Sequence, residues 1–376
     1  METRTKLENR LAALVPHDDP RIREICHLHP EFAVFLSRFT DAYRSPAPPS
    51  ILLLRADLRD SYRTIEALGG FRDLACLSVL PRSRALTISA SQVQGVLYSD
   101  SFAFYPWMLA SDFDGMIAQT PAMLASHELE EFHGQTSPEL SRQTLTDLYV
   151  DQALLKELMK RWARRFRSKK AKWEDEALFR SLAMATSAAK TPSANAPTLY
   201  DIGRQVALWV SAFEILTHPG GSGQANRETV FNRLEQVKWQ LPFFQGATYD
   251  CYKGQKNRPL RNAACQLYSK IYQLRNDYLH GNPVSSAALF PVQPPAKPSK
   301  VRTHRGKPIR SRRIFADYSQ YAAILYRIAV GSFLGLAYSK PKPASTQLKR
   351  VMWLMEQSHY FDPQKDCEQA LRTAWL

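Results

Sequence analysis

The chain lacks the patterns that announce most cofactor-dependent enzymes. Its five cysteines, Cys26, Cys76, Cys251, Cys265 and Cys367, are odd in number and scattered, with no CxxC pair. That argues against a disulfide framework or a dithiol redox centre and fits a reducing compartment with packed thiols. Cys26-His27-Leu28-His29 offers ligand types without a second cluster at zinc spacing, and His127-Glu128-Leu129-Glu130-Glu131 fails the HExxH pattern. There is no glycine-rich phosphate loop. No metal and no cofactor is therefore expected. No stretch approaches the 18 or so apolar residues of a membrane-spanning helix, and the start, METRTKLENRLAALVPHDD, is charged where a signal peptide would be apolar. The expectation is a cytoplasmic protein with no membrane partner.

Acidic residues are the other shortage. Asp and Glu number 35 against 50 Lys and Arg, leaving a formal charge of +15 over 376 residues. An excess of that size points to a polyanionic partner, nucleic acid ahead of an anionic membrane, or more plainly to a basic surface. Two segments concentrate it. Between positions 156 and 172, Lys156, Lys160, Arg161, Arg164, Arg165, Arg167, Lys169, Lys170 and Lys172 face only Glu157. Between Ala296 and Arg313, Lys297, Lys300, Arg302, Arg305, Lys307, Arg310, Arg312 and Arg313 meet no acid at all. Either segment can track a phosphate backbone or be a solvated face. Arg161, Arg164, Arg165, Lys169 and the eight basic residues from Lys297 to Arg313 are the candidate RNA contacts. His304 reads as one more solvated group.

Apolar spacing predicts a mainly α protein. The first 45 residues read as helical, with Leu11, Leu14, Phe32, Phe35, Leu36 and Phe39 at helical intervals. Ile51-Leu-Leu-Leu54 is short enough for a buried strand, and Leu74–Tyr105 reads as short strands and turns with helix around it. Phe102, Phe104, Tyr105 and Trp107 crowd together as a core or seam, or as a surface for stacking bases. Helices are expected over Glu174–Ala189, Ile202–Leu216, Gln224–Trp239, Leu267–Tyr278 and Ile314–Tyr338, and again in the last 30 residues. Ile202, Val206, Trp209, Phe213 and Leu216 are spaced 4, 3, 4, 3, and Leu267, Ile271, Leu274 and Tyr278 follow 4, 3, 4. Pro219-Gly220-Gly221 stops the first of these and Gly281 caps the second. The expected organisation is a mixed α/β or α-rich N-terminal recognition or regulatory domain over 1–145, a basic helical connector over 146–173, and a helical bundle over 174–376. The bundle is interrupted by a flexible basic loop over 283–313.

The most informative stretch is Ile271-Tyr-Gln-Leu-Arg-Asn-Asp-Tyr-Leu-His-Gly281. It places an arginine, a carboxamide and a histidine at the end of an apolar helix. Arginine followed four to six residues later by histidine discriminates little, since Arg21 to His27 and Arg23 to His29 repeat it. The setting separates the third copy: asparagine follows the arginine, glycine follows the histidine, and a second helix upstream carries Glu214.

Arg275-Asn276-Asp277-Tyr278-Leu279-His280 resembles the arginine, polar residue, three residues, histidine motif of HEPN domains, in the variant of ApeA-like bacterial HEPN proteins. Ala207–Leu216 is similar to the upstream helix of that group. The resemblance covers about residues 175 to 340, and nothing before 170 is recognised. It implies a C-terminal HEPN-like helical bundle that dimerises and cleaves RNA without metal, in phage defence, toxin–antitoxin or RNA-processing systems. An antitoxin or a phage component would then be a further partner. Some members of the family bind or scaffold without cleaving, which leaves a non-catalytic nucleic-acid- or protein-binding module as the alternative.

The residues suit that chemistry. At about 100° per residue, Arg275 and His280 lie roughly 140° apart on one helix and Asn276 and His280 about 40°. One copy thus does not present arginine and histidine on a narrow stripe, and a symmetric dimer would supply both sides of a site. Protonated His280, favoured at a helix carboxyl end, would serve as general acid for the 5′ oxygen, and a neutral His280 as base for the 2′ hydroxyl. Arg275 would neutralise the phosphorane and Asn276 orient phosphate or histidine. Glu214, Asp277 and Tyr278 are candidate supporting residues, Glu214 as an arginine partner. The plainer reading makes Arg275 and His280 caps at a helix end.

Overall fold

The computed structural model describes residues 7–40, 44–46, 48–89, 149–168, 171–190, 199–252, 257–291, 316–336 and 362–375, with short strand segments at 108–109, 116–117, 125–126, 132–133, 303–304 and 307–308. The protein is mainly helical, as the apolar spacing predicts. Its contacts divide it into two compact units: residues 1–80, 96–197 and 220–223 form one, and 81–95, 198–219 and 224–376 the other.

The first unit begins with strands where helix is expected. Asn9 accepts hydrogen bonds from the backbone of Leu11 (2.7 Å) and Ala12 (2.9 Å) and turns the chain between β1 (Leu7–Glu8) and β2 (Ala12–Val15). β2 pairs antiparallel with β1 and with β4 (Ile51–Leu54), placing Val15 opposite Ile51. Too few residues separate Asn9 from Pro16 for a helix to form, and a partner strand satisfies the backbone instead. β4 is half-buried along its whole length. Between β2 and β4, Asp19 caps α1 (Pro20–Leu28) by accepting from Arg21 N at 3.0 Å, and α2 (Pro30–Ser37) follows. Phe32, Phe35 and Leu36 close a small core over Ala13, Val15 and Ile22. β3 (Phe39–Thr40) pairs in parallel with Phe132–His133.

Ile65–Ser89 is one helix, α3, which corrects the strands and turns expected from Leu74 onward. Phe71, Leu74, Ala75, Cys76, Val79 and Leu80 are all buried, and a helix covered on every side has no apolar stripe for periodicity to find. Pro81 lies inside it, at the division between the units. The aromatic residues Phe102, Phe104, Tyr105 and Trp107 lie outside the described residues.

The basic connector is also corrected. Its helix, α4 (Gln152–Arg165), buries Leu154, Leu155, Leu158, Met159 and Trp162 and belongs to the core of the first unit. Trp162 contacts Phe71 and Tyr62 at ring distances of 5.1 and 5.2 Å and donates its indole N–H to Ala67 O at 2.8 Å. α5 (Trp173–Ala189) follows α4 in the same unit, not in the C-terminal bundle expected from residue 174. The tie is chemical: Asp175, 1% exposed, receives both Arg161 and Arg164.

In the second unit α6 (Leu199–Leu216) packs on α8 (Ala263–Leu279) and α9 (Tyr318–Phe333). Phe213 sets its ring 5.1 Å from Tyr268 on α8 and 5.4 Å from Tyr326 on α9, and Trp209 adds a contact to Tyr326 at 5.5 Å. α7 (Arg227–Leu234), shorter than the expected 224–239 helix, opens on a capping box between Asn226 and Thr229 and contributes Phe231. α9 likewise starts at a capping box, Asp317 with Gln320, and ends at Gly335. α10 (Pro363–Arg372) returns the chain to the bundle, where Glu368 accepts from the backbone N–H groups of Gln240 and Leu241 and Gln364 accepts from buried Arg327. No helix among the described residues is long and apolar enough to cross a membrane.

Candidate functional site

α8 carries the 271–281 stretch, and its cap and its buried face fix how the stretch is presented. Asn262 starts the helix by accepting from Cys265 N at 3.1 Å, while its amide donates to Leu234 O at 2.9 Å and pins the start to α7. Leu267, Ile271 and Leu274 are buried against the bundle. That rotation leaves Arg275, Asn276, Asp277 and Tyr278 half-buried and Leu279 and His280 exposed. The helix ends at Gly281, with φ of +70°, where Asn282 N reaches back to Asp277 O at 2.9 Å and Gly281 N to Tyr278 O at 3.3 Å. A left-handed residue closed by this pair of bonds is the Schellman ending that glycine permits without strain.

Arg275 is held from two sides. Its guanidinium donates to Asn276 Oδ1 at 2.9 Å and lies 5.7 Å from the ring centre of Tyr272. Its Nε is buried with no hydrogen-bond partner among the described residues. Glu214 on α6 faces the same charge: burial raises its carboxyl above the ordinary value, and Arg275 pulls it back part of the way. Glu214 and Arg275 form no ion pair among the described residues. Burial, then Glu214, pushes the hydroxyl of Tyr268 well above its usual value, so that group stays a neutral phenol.

Asp277 and Tyr278 support the helix end. Asp277 accepts from Gln273 Nε2 (2.9 Å) and Asn282 Nδ2 (3.2 Å), joining the last turn to the chain beyond the cap. The Tyr278 ring lies over Gly203 of α6 so closely that a Cβ there would come within 2.2 Å of Cδ2. His280 is the C-cap residue, and its backbone N–H donates to Asn276 O at 2.9 Å. Its side chain forms no hydrogen bond or ion pair with the described residues. Arg275, Asn276 and Glu214 are thus brought together, and His280 stands apart from them on the same helix.

A second cation at this site has no signal in the sequence. Arg227, the first residue of α7, places its guanidinium 6.0 Å from the ring centre of Tyr272, 5.1 Å from Tyr252 and 5.7 Å from Phe231. Tyr272 is therefore within about 6 Å of both Arg227 and Arg275. The two arginines are 48 residues apart in sequence and meet only through the packing of α7 on α8.

Two of the candidate RNA contacts, Arg161 and Arg164, are paired with a buried acid. Burial pushes the Asp175 carboxyl up, but hydrogen bonds from Arg164 and Arg161 outweigh it and hold the group below its ordinary value. Those two guanidinium groups share one buried acid, which leaves one positive charge in excess, and Arg164 stays part-exposed. Arg165 lies 5.1 Å from the Phe166 ring centre. Lys169, Lys297, Lys300, Arg302, Arg305, Arg310, Arg312 and Arg313 fall outside the described residues, and Lys307 is described only as backbone pairing with His304. The described cysteines are free thiols, and four of them, Cys76, Cys251, Cys265 and Cys367, are buried.

No family model, curated protein or solved structure matches this chain.

Proposed function

We propose that the second unit is a HEPN-type endoribonuclease that cleaves RNA without a metal, as a homodimer through this bundle. The observation that carries the reading is the state of Arg275: a guanidinium held by Asn276 and Tyr272, its buried Nε without a partner among the described residues, on the same helix as a solvent-exposed histidine at the carboxyl end. Groups already held in position stabilise developing charge with little reorganisation. In the reaction, neutral His280 of one copy removes the proton from the 2′ hydroxyl. The O2′–P bond forms as the P–O5′ bond breaks, and protonated His280 of the second copy gives its proton to the leaving 5′ oxygen. Arg275, with Arg227 also beside Tyr272, neutralises the phosphorane. The products are a 2′,3′-cyclic phosphate and a 5′ hydroxyl. A cytoplasmic role in phage defence or as the toxin of a regulated pair belongs to the same proposal.

One observation favours the alternative, a helical module that binds nucleic acid or protein without turnover. Asn276 is already engaged by Arg275, and among the described residues the His280 side chain hydrogen-bonds to neither, so one copy contains no assembled acid–base pair. Incubation of the purified chain with single-stranded RNA in EDTA decides between them. Cleavage to cyclic phosphate ends that falls at least about 100-fold in His280→Ala and Arg275→Ala supports the ribonuclease. Binding without cleavage supports the module, and cleavage surviving both substitutions removes the mechanism.

A further inference from the structure

The first unit contains a cavity of about 550 Å³ that the ribonuclease reading does not use. Four arginines line it, Arg55 and Arg59 from the chain after β4 and Arg164 and Arg167 from the end of α4. Only two are neutralised: Arg55 pairs with Asp57 and Arg164 with Asp175. Arg59 and Arg167 meet no carboxylate among the described residues, and both are exposed. Their field reaches the floor of the cavity. Burial raises the Tyr62 hydroxyl above its ordinary value, and Arg167 and Arg59 act against that rise.

The cavity lies at the carboxyl end of a helix, where free carbonyls ordinarily repel an anion. Here three carbonyls of that end and of the chain just beyond it are occupied. Tyr62 donates its hydroxyl to Ala163 O at 2.5 Å, Ser61 donates to Phe166 O at 2.6 Å, and Arg59 Nη1 donates to Arg167 O at 3.3 Å. That last bond joins the Arg59 side chain to the backbone of Arg167, and both arginines line the cavity and act on Tyr62. Arg59 keeps its other N–H donors, and the side chain of Arg167 makes no hydrogen bond with the described residues. Beside this charge lie apolar walls, Leu11, Leu58 and Ala163.

We propose that this cavity binds a phosphomonoester of mononucleotide size, its phosphate between Arg59 and Arg167 and its sugar and base against Leu11, Leu58 and Tyr62. Planar guanidinium groups recognise phosphate oxygens bidentately, and the volume falls in the range of sites for such ligands, roughly 300–1,000 Å³. The same chemical group occurs on a free mononucleotide and on the 5′ end of a nucleic-acid chain. The site is independent of His280 and would stand if the ribonuclease reading failed.

Titration calorimetry on the full chain tests it. The probes are the four ribonucleoside 5′-monophosphates, the matching nucleosides, inorganic phosphate, and a 2′-O-methyl tetranucleotide with either a 5′ phosphate or a 5′ hydroxyl. The 2′-O-methyl groups prevent cleavage and so separate this experiment from the previous one. We expect binding that requires the phosphate, weakens about 10- to 100-fold in R59Q/R167Q and at least severalfold in R167Q alone, and is unchanged in His280→Ala. Monophosphates binding best identifies a free nucleotide, and the 5′-phosphorylated tetramer binding best identifies a chain end. Absence of binding by every probe, inorganic phosphate binding as tightly as any nucleotide, or affinity unaffected by R167Q overturns the proposal.

Discussion

Replacing Gly203 by alanine sets two effects of opposite sign against each other. Gly203 lies within α6, and alanine there gains about 0.5–1 kcal/mol of helix propensity over glycine. Propensity alone therefore predicts a more stable protein. The packing predicts the reverse, because the new Cβ would sit 2.2 Å from Cδ2, 2.5 Å from Cε2 and 2.8 Å from Cγ of Tyr278. Contact with Cγ involves the root of the ring, so a small tilt does not clear it. Either the helices separate or the ring leaves its place, and forced overpacking costs about 1–3 kcal/mol. The expected net effect is a loss of about 1–2 kcal/mol. Urea unfolding followed by circular dichroism measures it. The decisive comparison is the same substitution in a Tyr278→Ala background, where the space is open and only the propensity gain remains. There Gly203→Ala should stabilise, giving a coupling between the two sites of the size seen for residues in direct contact, about 0.5–3 kcal/mol. A higher midpoint for Gly203→Ala in the native background, or an equal loss in both backgrounds, would refute the close packing of α6 on the end of α8.

Asp175→Asn should lower stability at neutral pH by about 1–3 kcal/mol, since it leaves two arginines without their buried acid. The sign of its pH dependence follows from the depressed carboxyl. A group held below its ordinary 3.8 when folded stabilises the protein above that value, and the contribution disappears as pH falls through the folded value. The substitution should therefore flatten the acid limb of the stability profile below about pH 4, as thermal unfolding across pH 2–7 would reveal. A thiol reagent should label Cys26 in the native protein well before the four buried cysteines. Burial holds the Cys251 thiol up at about 11 and raises Cys265 further, so neither supplies thiolate near neutrality. Rapid native-state labelling of Cys251 or Cys265, read by peptide mass mapping, would contradict the packing of α7 on α8.

What could be read from the sequence was whatever one helix writes in its own residues. The 4, 3, 4 spacings on α6 and α8 identify both, since each has one face in the core and one in solvent. Gly281 announces its cap because only a left-handed residue closes that end without strain. α3 was hidden for the opposite reason: buried on all sides, it has no polar face to set a period. β2 was hidden because one of its two partners, β4, comes after two intervening helices and the other, β1, is only two residues long. The same division runs through the candidate site. Arg275, Asn276 and His280 are neighbours in the chain and could be listed together, whereas Arg227 joins them only through Tyr272 in the folded bundle. Charge runs misled most. Arg161 and Arg164 looked like free positive charge until the acid they neutralise, Asp175, appeared across the fold.

The ending of α8 separates architecture from reactivity at position 280. The backbone bonds of Asn276, Tyr278, Gly281 and Asn282 place that residue, and its own side chain contributes nothing to the placement. A different side chain there would inherit the same location at little cost to folding. On the ribonuclease proposal, one codon change there would silence or restore the proton donor without passing through an unstable ancestor. If that proposal holds, melting temperature would not distinguish a cleaving version of the scaffold from one that only binds.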